Sequence, residues 1–243
     1  MQANNVPPTQ SRRTSLNLLR CLILAFVPML SHSASAQSSD QLCINNMVDV
    51  DLKTVALYEV DTPTGIHFVH GPEAGSCPAA NDVCQQRARL VKGNQVVVIS
   101  RFGDYACAIY VAARKGKAIA TSGWLPLSAL KTIEPSPHWA GHWISDDSDA
   151  TIDVVAKDDA KIGIDGNATW NSNPIDAQSG QFGAVISPQG AFVSFTDGDN
   201  IKTAYANSAC TIKAAQLGPY LVITDNHNCG GSNVTFSSVY VRK

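Results

Sequence analysis

Residues Leu90–Leu130 read LVKGNQVVVISRFGDYACAIYVAARKGKAIATSGWLPLSAL, and this stretch decides the fold class. Gln95–Ser100 (QVVVIS) is a β-branched run bounded by Lys92-Gly93-Asn94 on one side and Gly103-Asp104 on the other. A run that short between turn formers is a strand, too short for a helix. Tyr105, Cys107 and Ile109 alternate with Ala106, Ala108 and Tyr110, which predicts a second strand with two apolar faces. Arg114-Lys115-Gly116 supplies the charged tip of a hairpin. A last strand carries Gly123-Trp124-Leu125-Pro126, and Leu130 follows after a short turn.

The positions that stand out in this stretch are Lys92, Gly93, Val96, Val98, Gly103, Asp104, Tyr105, Gly123, Trp124, Leu125 and Leu130. Taken in order, they resemble the bacterial SH3-like domains, over roughly residues 77–131. The resemblance implies a small β-barrel that recognises cell-wall peptide or glycan. It makes Tyr105, Tyr110 and Trp124 the aromatic candidates for ligand contact, since such residues in these barrels either fill the core or line a shallow groove. Trp124 suits the core; Tyr105, beside the Gly103-Asp104 turn, is the better placed for contact. One departure from the family pattern stands out: a cysteine-bearing segment, Gly75–Arg89, occupies the place of the usual opening strand.

Upstream, Arg12, Arg13 and Arg20 precede the apolar run Cys21–Leu30, and Ala34-Ser35-Ala36 supplies small residues for cleavage. This is the pattern of a secretory signal peptide, too short for a spanning helix. Residues 1–36 are therefore expected to be removed near Ala36, and the remainder to reside in a periplasm or outside the cell.

Cysteine usage agrees with export. Of seven cysteines, loss of Cys21 leaves Cys43, Cys77, Cys84, Cys107, Cys210 and Cys229, an even set for which disulfides are the default. Six cysteines allow fifteen pairings. If the chain forms two domains, Cys210 pairs with Cys229 in the second. The favoured arrangement of the other four is Cys77 with Cys84 and Cys43 with Cys107. Zinc is disfavoured, because the cysteines show no CxxC and no histidine at ligand spacing.

Downstream of Leu130, Lys131–His138 holds Pro135 and Pro137, which cannot donate to a ladder and favour extended backbone. The expected division is an SH3-like β-domain over 37–134, a linker at 135–137 and a second domain over 138–243. Lys161–Trp170 (KIGIDGNATW) is the cleanest period-two segment, with Ile162, Ile164, Ala168 and Trp170 on one side. Gly183–Ile186 and Ala191–Thr196 flank a Pro188-Gln189-Gly190 turn as a predicted hairpin, and Cys210–Ala215 and Tyr220–Thr224 flank Gly218-Pro219 as another. Short, regularly spaced strands close most simply as a small antiparallel barrel, which removes the sheet edges. Gly141, Trp143 and Arg242 also resemble the calycin group of ligand-binding barrels, in which a final-strand arginine closes over the tryptophan at the barrel's end.

Charge narrows the partners. From Gln37 to Glu134 acids and bases balance; from Pro135 onward eleven aspartates face only Lys157, Lys161, Lys202, Lys213, Arg242 and Lys243. Nucleic acid needs a cationic footprint and is excluded on that ground. A basic partner is mildly favoured by field alone.

No catalytic constellation is evident. Glu59, Glu73 and Glu134 all lie around turns, no serine sits in Gly-x-Ser-x-Gly, and no cysteine stands unpaired as a nucleophile. His138 and His142 are four apart, but on a strand that separation is about 13 Å, too far for one ion. Asp197-Gly198-Asp199-Asn200 offers oxygen ligands but lacks the further acids of a calcium loop. Asn167-Ala168-Thr169 and Asn233-Val234-Thr235 match the glycosylation acceptor pattern and are expected to be ordinary strand polars. The expectation is an all-β protein, an SH3-like small barrel followed by a second small antiparallel β-barrel, that binds rather than catalyses and needs no cofactor or metal. Its partner would be cell-wall peptide or glycan. The alternatives are a basic wall-degrading enzyme such as lysozyme, inhibited through the acidic second domain, or a small ligand carried in the second barrel.

Overall fold

The computed structural model describes residues 42–146, 149–171, 173, 175–197 and 209–243. Among them there is no α-helix; the chain forms two antiparallel sheets that belong to one compact unit. The first holds β1 (Ala56–Val60), β2 (Ile66–Val69), β3 (Gln85–Leu90), β4 (Gln95–Phe102), β5 (Tyr105–Arg114), β6 (Lys117–Pro126) and β7 (Leu130–Thr132). Its strand order is β3-β2-β6-β5-β4-β1-β7, and it curls into a half-barrel. The second holds β8 (Gly141–Ile144), β9 (Thr151–Ala156), β10 (Ile162–Trp170), β11 (Gln178–Ile186), β12 (Phe192–Thr196), β13 (Thr211–Leu217), β14 (Tyr220–Asp225) and β15 (Ser238–Arg242). Its order is β11-β10-β9-β8-β15-β14-β13-β12, a nearly closed barrel.

Turn chemistry sets the register of the long hairpins. Arg114 pairs with Lys117 across Lys115-Gly116, both at positive φ (51° and 77°). A two-residue loop of that conformation matches the twist of the strands it joins. Gly218 (φ 60°) with Pro219 does the same between Leu217 and Tyr220.

Long-range pairing decides the state of Asn81–Arg89 and revises the hairpin expected across Pro188–Gly190. Asn81–Arg89 contains helix-compatible residues, yet Gln85–Leu90 is an edge strand paired with β2; local propensity yields to the ladder that β2 offers. β11 and β12 do not form a ladder across the Pro188–Gly190 turn, where Gln189 and Phe192 make a single bridge. β12 pairs instead with β13, and β11 and β12 become the two edges of the sheet. The Cys229–Gly231 segment lies against the other end of β11. Gly231 N–H donates to Ser179 O at 3.1 Å, and a Cβ on Gly180 would stand 2.3 Å from the Cys229 carbonyl. That segment covers β11 at Ser179–Gly180, away from the turn.

Three disulfides are formed, Cys43–Cys107, Cys77–Cys84 and Cys210–Cys229, as an oxidising compartment allows. Cys43–Cys107 ties the arm that precedes β1 to the centre of the first sheet. Along that arm Asn45 donates from Nδ2 to Asp146 Oδ1 (3.1 Å), and its Oδ1 accepts Val239 N–H (3.3 Å). Asp146 in turn accepts Ala120 N–H at 2.6 Å. The arm and Asp146 thus link strands of both sheets.

The sheets meet through a shared apolar layer. Leu57, Val97, Ile109 and Val111 of the first sheet pack with Ala215, Leu217, Tyr220, Val222, Val239 and Val241 of the second, and Met47, Leu52 and Val55 of the arm fill the edge. The alternate residues of the same barrel strands, among them Ala214, Leu221, Ile223 and Tyr240, face the barrel interior. β14 is therefore buried on both faces along its whole length, which explains the apolar run Tyr220–Ile223. The barrel interior is filled with side chains: Phe182 packs on Phe195 and Phe236, with centroids 5.7 and 4.7 Å apart.

Tyr220, 2 % exposed, carries the polar contact across this layer: its hydroxyl donates to the Gln95 carbonyl at 2.5 Å. Burial, reinforced by the nearby Tyr110, pushes its ionisation well above the ordinary tyrosine range. In the unfolded chain a tyrosine ionises near pH ~10. The stability contributed by keeping Tyr220 neutral is therefore intact below that pH and lost as the pH rises beyond it. Tyr220→Phe should cost about 1–3 kcal/mol at neutral pH, because a buried carbonyl loses its donor. It should also flatten the alkaline limb of stability, which urea unfolding at a series of pH values would read.

Candidate functional site

A hollow on the first sheet arises where a ladder stops. β2 pairs with β6 at one position, Val69 with Trp124. Two residues further on β6 stands Pro126, which has no N–H to continue the ladder. On the facing strand the β2–β3 register shifts between His67 and Val69. On the His67 side of Val69 the strands part, leaving a groove of about 450 Å³.

Its walls come from three places. Tyr105 and Pro126, paired across β5 and β6, form one side. Ile66 and His67 of β2 and Gln85 and Arg89 of edge strand β3 form the other. Ala80 and Asn81 close the end. They sit within the short loop drawn together by Cys77–Cys84, so that wall is held by a covalent tie. Asn81 Oδ1 accepts Cys84 N–H at 3.0 Å, which leaves its amide N–H groups available. The Arg89 guanidinium donates to the Thr64 carbonyl at the mouth, and His67 Nδ1 lies 3.1 Å from Gln86 O. Among its described lining residues there is no carboxylate. An arginine, a histidine, two amides and a phenol make a site for a ligand that brings negative charge and hydrogen-bond acceptors.

The three aromatic candidates fall in different places. Tyr105 is half-buried and borders the groove. Trp124 is 1 % exposed and lies in the small core with Val69 and the cysteine pairs, its ring edge-on to Phe102 at 6.1 Å. Tyr110 packs on the opposite face of the sheet, against the cluster of Tyr58, Phe68 and Leu125. His67, Asn81, Gln85 and Arg89 were not singled out from sequence. The available signal was the Cys77–Cys84 loop standing in place of an expected strand, since such an insertion must cover or line something.

In the second sheet Arg242 lies over Trp143, its guanidinium carbon 4.7 Å from the ring centroid. A Cβ on Gly141 would come within 2.9 Å of Arg242 Nε, so Gly141 gives the arginine room. The histidine pair is spent separately. His142 Nδ1 is 2.7 Å from Asp153 Oδ1, and the His138 backbone bonds Gln216 and Arg242. Asp225 accepts Phe236 N–H, the Thr235 hydroxyl and the Ser237 hydroxyl at 2.8–2.9 Å, a structural role. Among the described residues no cluster of three or more His, Cys, Asp or Glu could hold a metal ion; Asp199 and Asn200 lie outside the described residues. Comparisons with protein-family models, with curated proteins and with solved structures find no match for this chain.

The Trp124 indole N–H is buried with no hydrogen-bond partner among the described residues, an uncommon condition for a buried donor. It faces Gly71, where an added Cβ would stand 2.2 Å from Trp124 Nε1 and 2.3 Å from Glu73 Oε2. Gly71→Ala should therefore overpack this corner and cost about 1–3 kcal/mol. A fall in thermal midpoint with a red-shifted tryptophan emission would register it.

Proposed function

We propose that this chain is an exported, non-catalytic binding protein whose first-sheet groove takes a carboxylate-bearing peptide of the cell wall. The observation that carries the reading is the groove beside Tyr105, with Arg89 and His67 on its wall and no acid among its described lining residues. The resemblance of Leu90–Leu130 to bacterial SH3-like domains supports the same ligand class. The basic leader and small-residue site at Ala34–Ala36, together with three disulfides, support a periplasmic or secreted location. The aromatic filling of the second barrel weighs against an interior ligand and hence against a carrier role.

Retention of the purified mature chain on peptidoglycan sacculi tests the reading. Binding is expected to weaken by roughly tenfold, about 1.4 kcal/mol, in Tyr105→Ala and Arg89→Ala. It should also weaken as salt screens the cationic groove. Retention no greater than on an unrelated insoluble polysaccharide, or retention indifferent to both substitutions, overturns it.

A further inference from the structure

A second hollow lies at one end of the barrel. On β10, Trp170 follows Ala168 on the strand face that points to the barrel interior. The neighbouring strand β9 has already ended, its last pair being Thr151 with Asn167. The Trp170 ring therefore emerges at the mouth, 44 % exposed. Ala168 and Val234, both part of the barrel core, form the apolar floor beside it. The cup they make has a volume of about 260 Å³, below the range of roughly 300–1,000 Å³ typical of drug-sized sites and suited to a single ring.

The polar rim divides into groups already committed and groups that are free. Asp146 is bonded to Asn45 and Ala120, and the Thr235 hydroxyl is donated to Asp225. By contrast, Asp149 and Asn233 line the cup with side chains that hydrogen-bond no other described residue. The described lining contains Asp146 and Asp149 and no cation, which turns away phosphate and carboxylate ligands. Free donors and acceptors around an exposed aromatic face are equally unsuited to a purely apolar ligand, whose binding would leave them buried and unpaired.

We infer that this barrel-mouth cup binds one residue of a neutral acetamido sugar. The C–H face of the pyranose lies on Trp170. The acetamido N–H donates to Asp149, its carbonyl accepts from the Asn233 amide, and its methyl rests on Ala168 and Val234. The site is separate from the first-sheet groove and of opposite charge. A chain carrying both would hold wall material at two points, so that the second contact forms intramolecularly and strengthens overall retention.

Trp170 provides its own reporter, because Trp124, Trp139 and Trp143 are buried. Intrinsic fluorescence of the mature chain is titrated with chitotriose, with cellotriose, which lacks the acetamido groups, and with triglucosamine, which carries amines instead. The expected result is a saturable change with chitotriose, at least tenfold weaker with cellotriose, since a site built to pair a polar group rejects the analogue that lacks it. Trp170→Ala should abolish binding as measured by calorimetry, and Asn233→Ala should weaken it about tenfold. Both should fold with a modest fall in unfolding temperature, since Trp170 is 44 % exposed and Asn233 holds φ 65°, which Ala adopts with strain; Asn233→Gly, free of that strain, should weaken binding as Asn233→Ala does. Arg89→Ala should bind chitotriose as the parent does, so loss of the groove reading and loss of this one are distinguishable. No response to chitotriose at millimolar concentration overturns the inference. So does tighter binding of triglucosamine, which would mark a cation site, and so does unchanged binding by Trp170→Ala.

Discussion

The structure depends on one wall of three strands that is buried on both sides. β13, β14 and β15 turn alternate residues into the barrel and toward the first sheet, so each strand contributes to two cores. A one-residue slip in their register would exchange those two sets at once. Tyr220 marks where this matters most: its ring fills the inter-sheet layer and its hydroxyl satisfies the Gln95 carbonyl. Gly218, at the tip of the same hairpin, lies so close to the first sheet that a Cβ there would stand 2.7 Å from Leu57 Cδ2. Hairpin tip, tyrosine and β1–β4 edge form a single joint.

The covalent ties reinforce places where that packing is thin. Cys43–Cys107 holds an arm with no ladder of its own against β5, and closing a loop of that length contributes roughly 4 kcal/mol in the chain-entropy picture. The arm then delivers Met47, Leu52 and Val55 to the inter-sheet layer and Asn45 to β15. Cys77–Cys84 acts on a smaller scale, shaping the loop that walls the groove. Cys210–Cys229 joins the start of β13 to the segment that covers the edge of β11, beside the seam where the barrel nearly closes.

Both candidate sites lie where regular structure ends. The groove opens because Pro126 cannot extend the β2–β6 ladder; the barrel-mouth cup opens because β10 outruns β9. Their chemistries are complementary, one cationic with amides and a phenol, the other acidic with an indole.

The sequence by itself determined the class and the local geometry. β-Branched runs between turn formers, the period-two pattern of Ile162–Trp170 and the Lys115-Gly116 and Gly218-Pro219 turns specify short antiparallel strands because each is a near-neighbour preference of the backbone. The even cysteine set belongs to the same level of information. Tertiary structure alone decided which edges meet. It made Gln85–Leu90 a strand, since β2 was there to pair with it, and set β11 and β12 at opposite ends of the sheet, β12 pairing with β13. It also separated Tyr105, which borders a groove, from Trp124, which does not reach water. Sequence shows both as aromatics near strand ends. Only the approach of Gly71, Phe102 and a disulfide from distant parts of the chain buries one of them and leaves the other half-exposed.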